Sequence, residues 1–306
     1  MNRAVKTAAA ASGVTLALAG LFAEELYRYV FHRKGSALLS PFLDSFGHEA
    51  GYYVFRNTAA DELRSLPRRE LSIRSADGLE LRGFYYPLGG QGKRIAFLIH
   101  GYRSEHAETA GMFLDYYRSR GVDLFCCDQR SHGRSEGRLI GFDVFEAEDC
   151  LAWVEELRRQ FGPEVAILLH GFSMGAATVL RMAPHCPDCV KFLVEDSGYA
   201  SAVPQLKGQL GPAYPLLARI HRLLSGRDLR ESDVRPGLAE SRLPILFVHG
   251  QDDPSVPFEN ALTLSGMYEG PKDSLFSPGT RHIETMYRQP ERYARKLDAF
   301  LARYFP

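Results

Sequence analysis

The sequence predicts an α/β fold, a mostly parallel central sheet with helices on both faces. Three observations lead there. Short apolar runs rich in β-branched residues recur along the chain. Longer amphipathic segments alternate with them, and the residues with the most chemistry stand directly after the apolar runs. Strand and helix in alternation make a parallel sheet, because each crossover lays its helix on a face.

The runs are Ile95 to Ile99, Val122 to Cys127, Val165 to Leu169, Val190 to Val194 and Ile245 to Val248. Short and without polar alternation, they read as strands buried on both faces. Ahead of them, Leu71-Ser-Ile-Arg-Ser and Leu79 to Tyr86 alternate and are joined by Asp77-Gly78, which favours a tight hairpin turn. Helical spacing marks Glu146 to Gln160 (Ala147, Leu151, Val154, Leu157, then Gly162 as a stop). It also marks Ser173 to Met182, whose alanines allow close packing on the sheet, and Glu291 to Tyr304. Residues 199–240 break the alternation with a set of leucines and an isoleucine (Leu206, Leu210, Leu216, Leu217, Ile220, Leu223 and Leu224 among them) and several prolines. They read as a short helical cap over the carboxyl edge of the sheet, its leucines lining an apolar acyl pocket.

Composition bounds the classes. The 306 residues fit one large α/β domain or two small ones. The 37 basic and 37 acidic residues cancel, so nothing favours a nucleic-acid partner. The cysteines, Cys126, Cys127, Cys150, Cys186 and Cys189, are odd in number, and two sit in an apolar run. They read as buried thiols of a reducing compartment, which favours a cytoplasmic catalytic domain. Cys186-Pro-Asp-Cys189 has no second ligand pair and reads as structural; no metal or cofactor is expected.

Arg3 and Lys6 precede an uncharged run from Thr7 to Ala23, and Glu24 and Glu25 end it. Seventeen residues are the lower limit for a spanning helix. An uncleaved membrane anchor, a signal peptide cleaved after Ala17-Leu-Ala19, and a first helix of a soluble protein all fit; the anchor is preferred. The expected organisation is therefore a hydrophobic segment at 1–23, a helical or irregular linker at 24–68 packed on the main domain or the membrane surface, and a catalytic domain at 69–306 with its cap at about 199–240.

In an open parallel sheet, ligands bind at the carboxyl ends of the strands. There, Gly171-Phe-Ser173-Met-Gly175 follows an apolar strand and precedes a small-residue helix, the context of a nucleophile elbow. Ser173 is the expected nucleophile. In this arrangement the partners follow in the order serine, acid, histidine. His249 and His282 are the histidines after Ser173 in suitable loops, and only His282 follows the leading acid candidates, Asp252 and Asp253. Glu195 and Asp196 are fallback acids, better read as structural. The oxyanion donors are expected from the Met174 amide and, after the strand ending at Ile99, the Tyr102 amide. Asp128-Gln-Arg130-Ser-His132-Gly-Arg-Ser135 holds chemistry-bearing types but reads as a loop that fixes strand ends.

Together, His100-Gly-Tyr, Asp128-Gln-Arg-Ser-His-Gly-Arg-Ser, Gly171-Phe-Ser-Met-Gly, His249-Gly-Gln-Asp-Asp-Pro-Ser-Val-Pro and Pro278-Gly-Thr-Arg-His282 resemble the α/β-hydrolase family, in its order, over roughly residues 70–305. The chain resembles its bacterial short-cap members, grouped with serine aminopeptidase, lysophospholipase and acylglycerol lipase-like branches. The resemblance selects Asp253, four residues after His249 and three before Val256-Pro257, as the acid. It implies an α/β-hydrolase fold and Ser-His-Asp catalysis through an acyl-enzyme, without a cofactor. The expected activity is carboxylic ester hydrolysis on a small molecule, with a lipid-derived ester as one candidate given the apolar N-terminus. The alternatives are an amidase or peptidase, with Glu195 or Asp196 recognising an amino terminus, and, least favoured, a binding protein without turnover.

Overall fold

The computed structural model describes residues 20–36, 38–39 and 47–305. Eight strands form one sheet in the order β1-β2-β4-β3-β5-β6-β7-β8. They are β1 (Arg69–Arg74), β2 (Glu80–Tyr86), β3 (Arg94–Ile99), β4 (Asp123–Asp128), β5 (Ala166–Phe172), β6 (Val190–Asp196), β7 (Ile245–Gly250) and β8 (Lys272–Ser277). From β4 through β8 in space all neighbours are parallel; β2 pairs antiparallel with both β1 and β4. The Asp77-Gly78 turn is looser than the sequence predicts. Arg74 pairs with Glu80, leaving a five-residue loop closed by the Ser75 amide on the Leu79 carbonyl, with Gly78 alone at positive φ.

The longer helices are α1 (residues 20–31), α2 (Ala50–Ser65), α3 (Glu146–Phe161), α4 (Met174–Met182), α5 (Ala202–Leu210), α6 (Tyr214–Ser225), α7 (Glu259–Met267) and α8 (Pro290–Tyr304). Successive side chains of a strand point to opposite faces, and the core divides accordingly. On one face, Ala96, Leu98, Leu168 and Val194 meet α2, the 106–118 region and α8. On the other, Ile95, Phe97, Ile167 and Leu193 meet α3, α4 and α7. Strands β5 and β6 run two or three residues past their apolar runs, into His170-Gly171-Phe172 and Glu195-Asp196. The ladder continues there regardless of side-chain polarity.

The region at 24–68 is two helices packed on the body. Tyr52, Ala60 and Leu63 of α2 are buried in the main core, and α1 buries Tyr27, Val30 and Phe31 against the cap. Of the expected hydrophobic segment, residues 7–19 lie outside the described residues, and residues 20–23 open α1. No helix among the described residues is long and apolar enough to cross a membrane, so they do not support the expected anchor. Between β6 and β7, α5, α6 and three shorter helical elements sit beside the carboxyl edge. Leu206, Leu210 and Leu217 pack inward, whereas Leu216, Leu223 and Leu224 face solvent.

β3 lies between β4 and β5, so the chain reverses its direction of growth there. This opens a crevice at their carboxyl ends. Ile99 pairs with Gly171, which brings the loop after β3 against the turn after β5. The approach leaves no room for side chains: a Cβ on Gly171 would fall on the Gly175 carbonyl, and one on Gly175 on the Ile99 carbonyl. Overpacking against backbone has no rotamer escape. Gly175→Ala is expected to cost at least about 3 kcal/mol and to lower the thermal midpoint by several degrees, read by differential scanning fluorimetry.

Candidate active site

Ser173 sits between β5 and α4 with φ +55° and ψ −116°, a backbone conformation unusual for a residue with a side chain. It is held there by its amide on the Asp196 carbonyl (2.9 Å) and by its own carbonyl, which accepts from Ala176 and Ala177. The Met174 amide, at the first position of α4, has no acceptor within the helix and points with its positive dipole end. Gly101 lies against this turn, its missing Cβ direction 3.1 Å from Ser173 Cβ.

The loop after β3 is braced from below by two buried histidines. His100 Nδ1–H donates to the Gly101 carbonyl (2.7 Å), and its Nε2 accepts from the Gln129 amide (3.0 Å). His132 Nδ1–H donates to the Arg130 carbonyl (2.8 Å), and its Nε2 accepts from the Arg103 amide (3.0 Å). Both roles need neutral rings. Burial lowers both, His132 to about 3, helped by the neighbouring His100. Arg130 pairs with Asp149 (2.6 Å) and Asp77 (3.1 Å), so the 128–135 loop fixes strand ends as its sequence suggests. From above, the Tyr102 hydroxyl donates to the Val30 carbonyl (2.8 Å) and the Tyr29 carbonyl (3.1 Å). The ring therefore faces α1 and stacks on Phe142.

His282 Nδ1 lies 2.6 Å from Asp253 Oδ2. Asp253 Oδ1 accepts from the amides of Ser255 (2.8 Å) and Val256 (2.9 Å). Burial would raise this carboxyl, but the charge and hydrogen bond of His282 outweigh burial and hold it below the usual range. With the proton on Nδ1, His282 Nε2 is left as an acceptor. Asp252 is exposed and does not reach His282, which separates the two adjacent aspartates. His249 is fully buried and donates from Nε2 to the Val256 carbonyl (3.0 Å), bracing the Asp253 turn.

Ser173 and His282 line one cavity of about 80 Å³ with Gly101 and Tyr102. The rest of its wall is His48, Tyr52, Arg56, Ser104, Thr109, Met112 and Ile283. The cap leucines are absent from that wall, so the expectation that they line an acyl pocket fails. α2 and the segment before it supply those contacts. Sequence reasoning missed His48, Tyr52 and Arg56. Their only signal was an unexplained density of aromatics at 27–55, since no motif marks a helix that covers a site from outside the sheet.

Glu195 and Asp196 are fully buried beneath the site and cannot meet a substrate's amino terminus. Asp196 accepts from Ser197 Oγ (2.8 Å) and Tyr293 Oη (2.9 Å), and Tyr293 continues through His170 to Tyr117. Ser197 Oγ in turn accepts from the Ile283 amide, next to His282 (3.3 Å). Burial pushes Asp196 up to about 6 and Glu195 up to about 8. Among the described residues, one group has metal-ligand types in reach, Glu105, His106 and Asp128. His106 Nδ1 is 2.9 Å from both carboxylates, and their hydrogen bonds overcome burial to raise its pKa. The group is thus a hydrogen-bonded cluster with one imidazole nitrogen shared between two carboxylates.

Glu195 makes stability depend on pH. The folded carboxyl keeps its proton up to about 8, whereas the unfolded one loses it near 4.5, so the folded state binds the extra proton between them. Stability therefore falls as pH rises through that window, by at most about 1.4 kcal/mol per pH unit. Glu195→Gln keeps an acceptor for the Gly198 amide and removes the titration. Denaturation midpoints of wild type and variant should diverge from about pH 4.5 to 8, with the variant the more stable at the upper end.

Comparison with known proteins agrees with this geometry. A family model described as serine aminopeptidase, S33, matches residues 90–227. The uncharacterized protein YqkD of Bacillus subtilis (strain 168) is 24% identical over 250 residues, covering 79% of this chain and 81% of that one. Mouse (Mus musculus) monoglyceride lipase is 30% identical over 146 residues, covering 46% and 47%. Among solved structures, the Pyrococcus furiosus esterase Pf2001 superposes with a TM-score of 0.65 at 20% identity, over 80% of this chain and 94% of that one, a likeness of fold. With the eight-stranded sheet and the strand-to-helix turn at Ser173, these findings give the chain the α/β-hydrolase fold and support its place among hydrolytic enzymes of that fold.

Proposed function

We propose that the protein hydrolyses small carboxylic esters through an acyl-enzyme on Ser173. The observation that carries this reading is the cavity shared by Ser173, His282 and the Gly101-Tyr102 backbone, with His282 backed by Asp253. Ser173 Oγ attacks the ester carbonyl carbon and passes its proton to His282 Nε2. Asp253 holds the imidazole in the right tautomer and stabilises the imidazolium. The amides of Met174 and Tyr102 donate to the oxyanion. Collapse of the tetrahedral intermediate breaks the bond to the alcohol, which leaves with the proton from Nε2. Water repeats the sequence on the acyl-enzyme and frees the acid.

A space of about 80 Å³ is well below the roughly 300–1,000 Å³ that encloses a drug-sized ligand. It supports an acyl arm of a few carbons over a long lipid chain. Two similar proteins carry ester-cleaving names, the mouse monoglyceride lipase and the Pyrococcus esterase. The description of the family model favours a peptidase instead. A free amino terminus calls for a carboxylate in the wall. Among the described residues the wall has none, and Arg56 adds a positive charge. The ester reading is therefore preferred.

A fluorophosphonate probe should label wild type and leave Ser173→Ala unlabelled. Asp253→Asn should keep the fold and lose roughly 10⁴-fold in kcat, because the imidazole would hold the wrong tautomer. Absence of labelling in folded wild type would remove Ser173 from the chemistry. In a p-nitrophenyl series, acetate and butyrate should exceed palmitate in kcat/KM by at least about tenfold. The same enzyme should turn over aminoacyl p-nitroanilides far more slowly than these esters; the reverse order would favour the peptidase.

A further inference from the structure

A large apolar opening lies away from Ser173. It is a groove of about 830 Å³ between α1 and the cap helix α6. Leu216, Ile220 and Leu224 line one wall; Gly20, Ala23 and Tyr27 line the other. Next to it Leu223 is 76% exposed, Leu224 62%, Phe22 61% and Leu21 60%. Exposed apolar residues scattered singly are ordinary, but a contiguous set is not.

The pattern of α6 shows what the fold leaves uncovered. At about 100° per residue, Leu223, Leu216, Ile220 and Leu224 occupy an arc of about 100°. That arc adjoins a second one, Leu217, His221 and Tyr214, which is buried in the cap. The apolar stripe is therefore about twice as wide as the cap can bury. Arg219 and Arg222 follow on its flank. Across the groove, Arg138 is exposed. Neither Arg138 nor Arg219 forms an ion pair with a described carboxylate. The charges of Arg28, Arg138 and Lys34 together reach His32 and help lower its pKa, after burial.

We propose that this face, the open arc of α6 with the first turn of α1, docks on an anionic phospholipid bilayer. Two observations select lipid as the occupant. The chain enters the groove at Gly20 directly from the uncharged run that starts at Thr7, so the exposed Leu21 and Phe22 continue an apolar stretch of sequence. The face pairs a leucine-rich surface with a rim on which Arg28, Arg138 and Arg219 outnumber the one lining carboxylate, Glu24, which pairs with Arg28; this net positive charge fits acyl chains beneath anionic headgroups. The docking is independent of the chemistry at Ser173, since none of these leucines lines its cavity.

The chain has one tryptophan, Trp153, buried in the core, so an added one reports its own surroundings. Full-length Leu223→Trp and Leu216→Trp would be mixed with vesicles of phosphatidylcholine and phosphatidylglycerol carrying brominated acyl chains. Leu262→Trp, on an exposed leucine of α7 outside the groove, serves as the control. The expected result is a blue shift and quenching at 223 and 216, and neither at 262. Replacing Leu223 and Leu224 by Asp should abolish quenching at 216, while turnover of a soluble ester and the thermal midpoint stay as in wild type. Arg138→Glu with Arg219→Glu should weaken binding to the mixed vesicles by about tenfold or more. A chain that co-floats with vesicles while positions 223 and 216 remain unquenched overturns the proposal, because residues outside this face would then hold the lipid. A chain that does not float, or one whose leucines are covered by a second copy in light scattering, overturns it as well. Ser173→Ala should be quenched like its parent, which separates this result from any failure of the ester reading.

Discussion

Strands β3 and β5 run side by side with Ile99 opposite Gly171, and α4 turns back across their ends with Gly175 against the Ile99 and His100 carbonyls. This three-way backbone contact sets the geometry around Ser173. It brings the loop after β3 directly against the first turn of α4. Side chains would separate them by the thickness of a methyl group or more, and a hydrogen bond does not survive such a displacement. The small residues that follow, Ala176 and Ala177, extend the same economy by letting α4 lie close to the sheet.

Around that contact the polar groups form two braced systems. One lies under the β3 loop, where His100 and His132 each donate from Nδ1 to a carbonyl and accept at Nε2 from a backbone amide. Burial lowers the pKa of both rings, His132 to about 3, which favours the neutral form that the acceptor role needs. The other runs from Tyr117 through His170, Tyr293, Asp196 and Ser197 to the Ile283 amide. It ties the strand that supports Ser173 to the loop that carries His282. Such fully connected networks rigidify a core, whereas a half-satisfied one would weaken it.

Much of this was legible in the chain because the signals are local. Buried parallel strands read as apolar runs, and the elbow needs two glycines around a serine between a strand and a helix. The order of residues then leaves His282 as the partner histidine. Asp253 against Asp252 was not decidable from spacing alone. It depends on a turn that buries one carboxylate under the Ser255 and Val256 amides and exposes its neighbour. The cap misled for a related reason. A leucine count gives the apolar width of a helix but not which part of that width meets protein, so Leu217 and Leu216 look alike in sequence and lie on opposite sides of the burial boundary. The wall of the Ser173 cavity was illegible because His48, Tyr52 and Arg56 reach it by long-range packing from a helix that precedes the sheet.

That N-terminal contribution changes how the site is held. The Tyr102 side chain is fastened to the end of α1 through the Tyr29 and Val30 carbonyls, while the Arg103 amide is fastened to His132 beneath. The loop between them includes Arg103 at φ +55°, a conformation it keeps only because both sides hold it. α1 therefore braces the loop after β3 as well as forming a wall of the apolar groove beside α6.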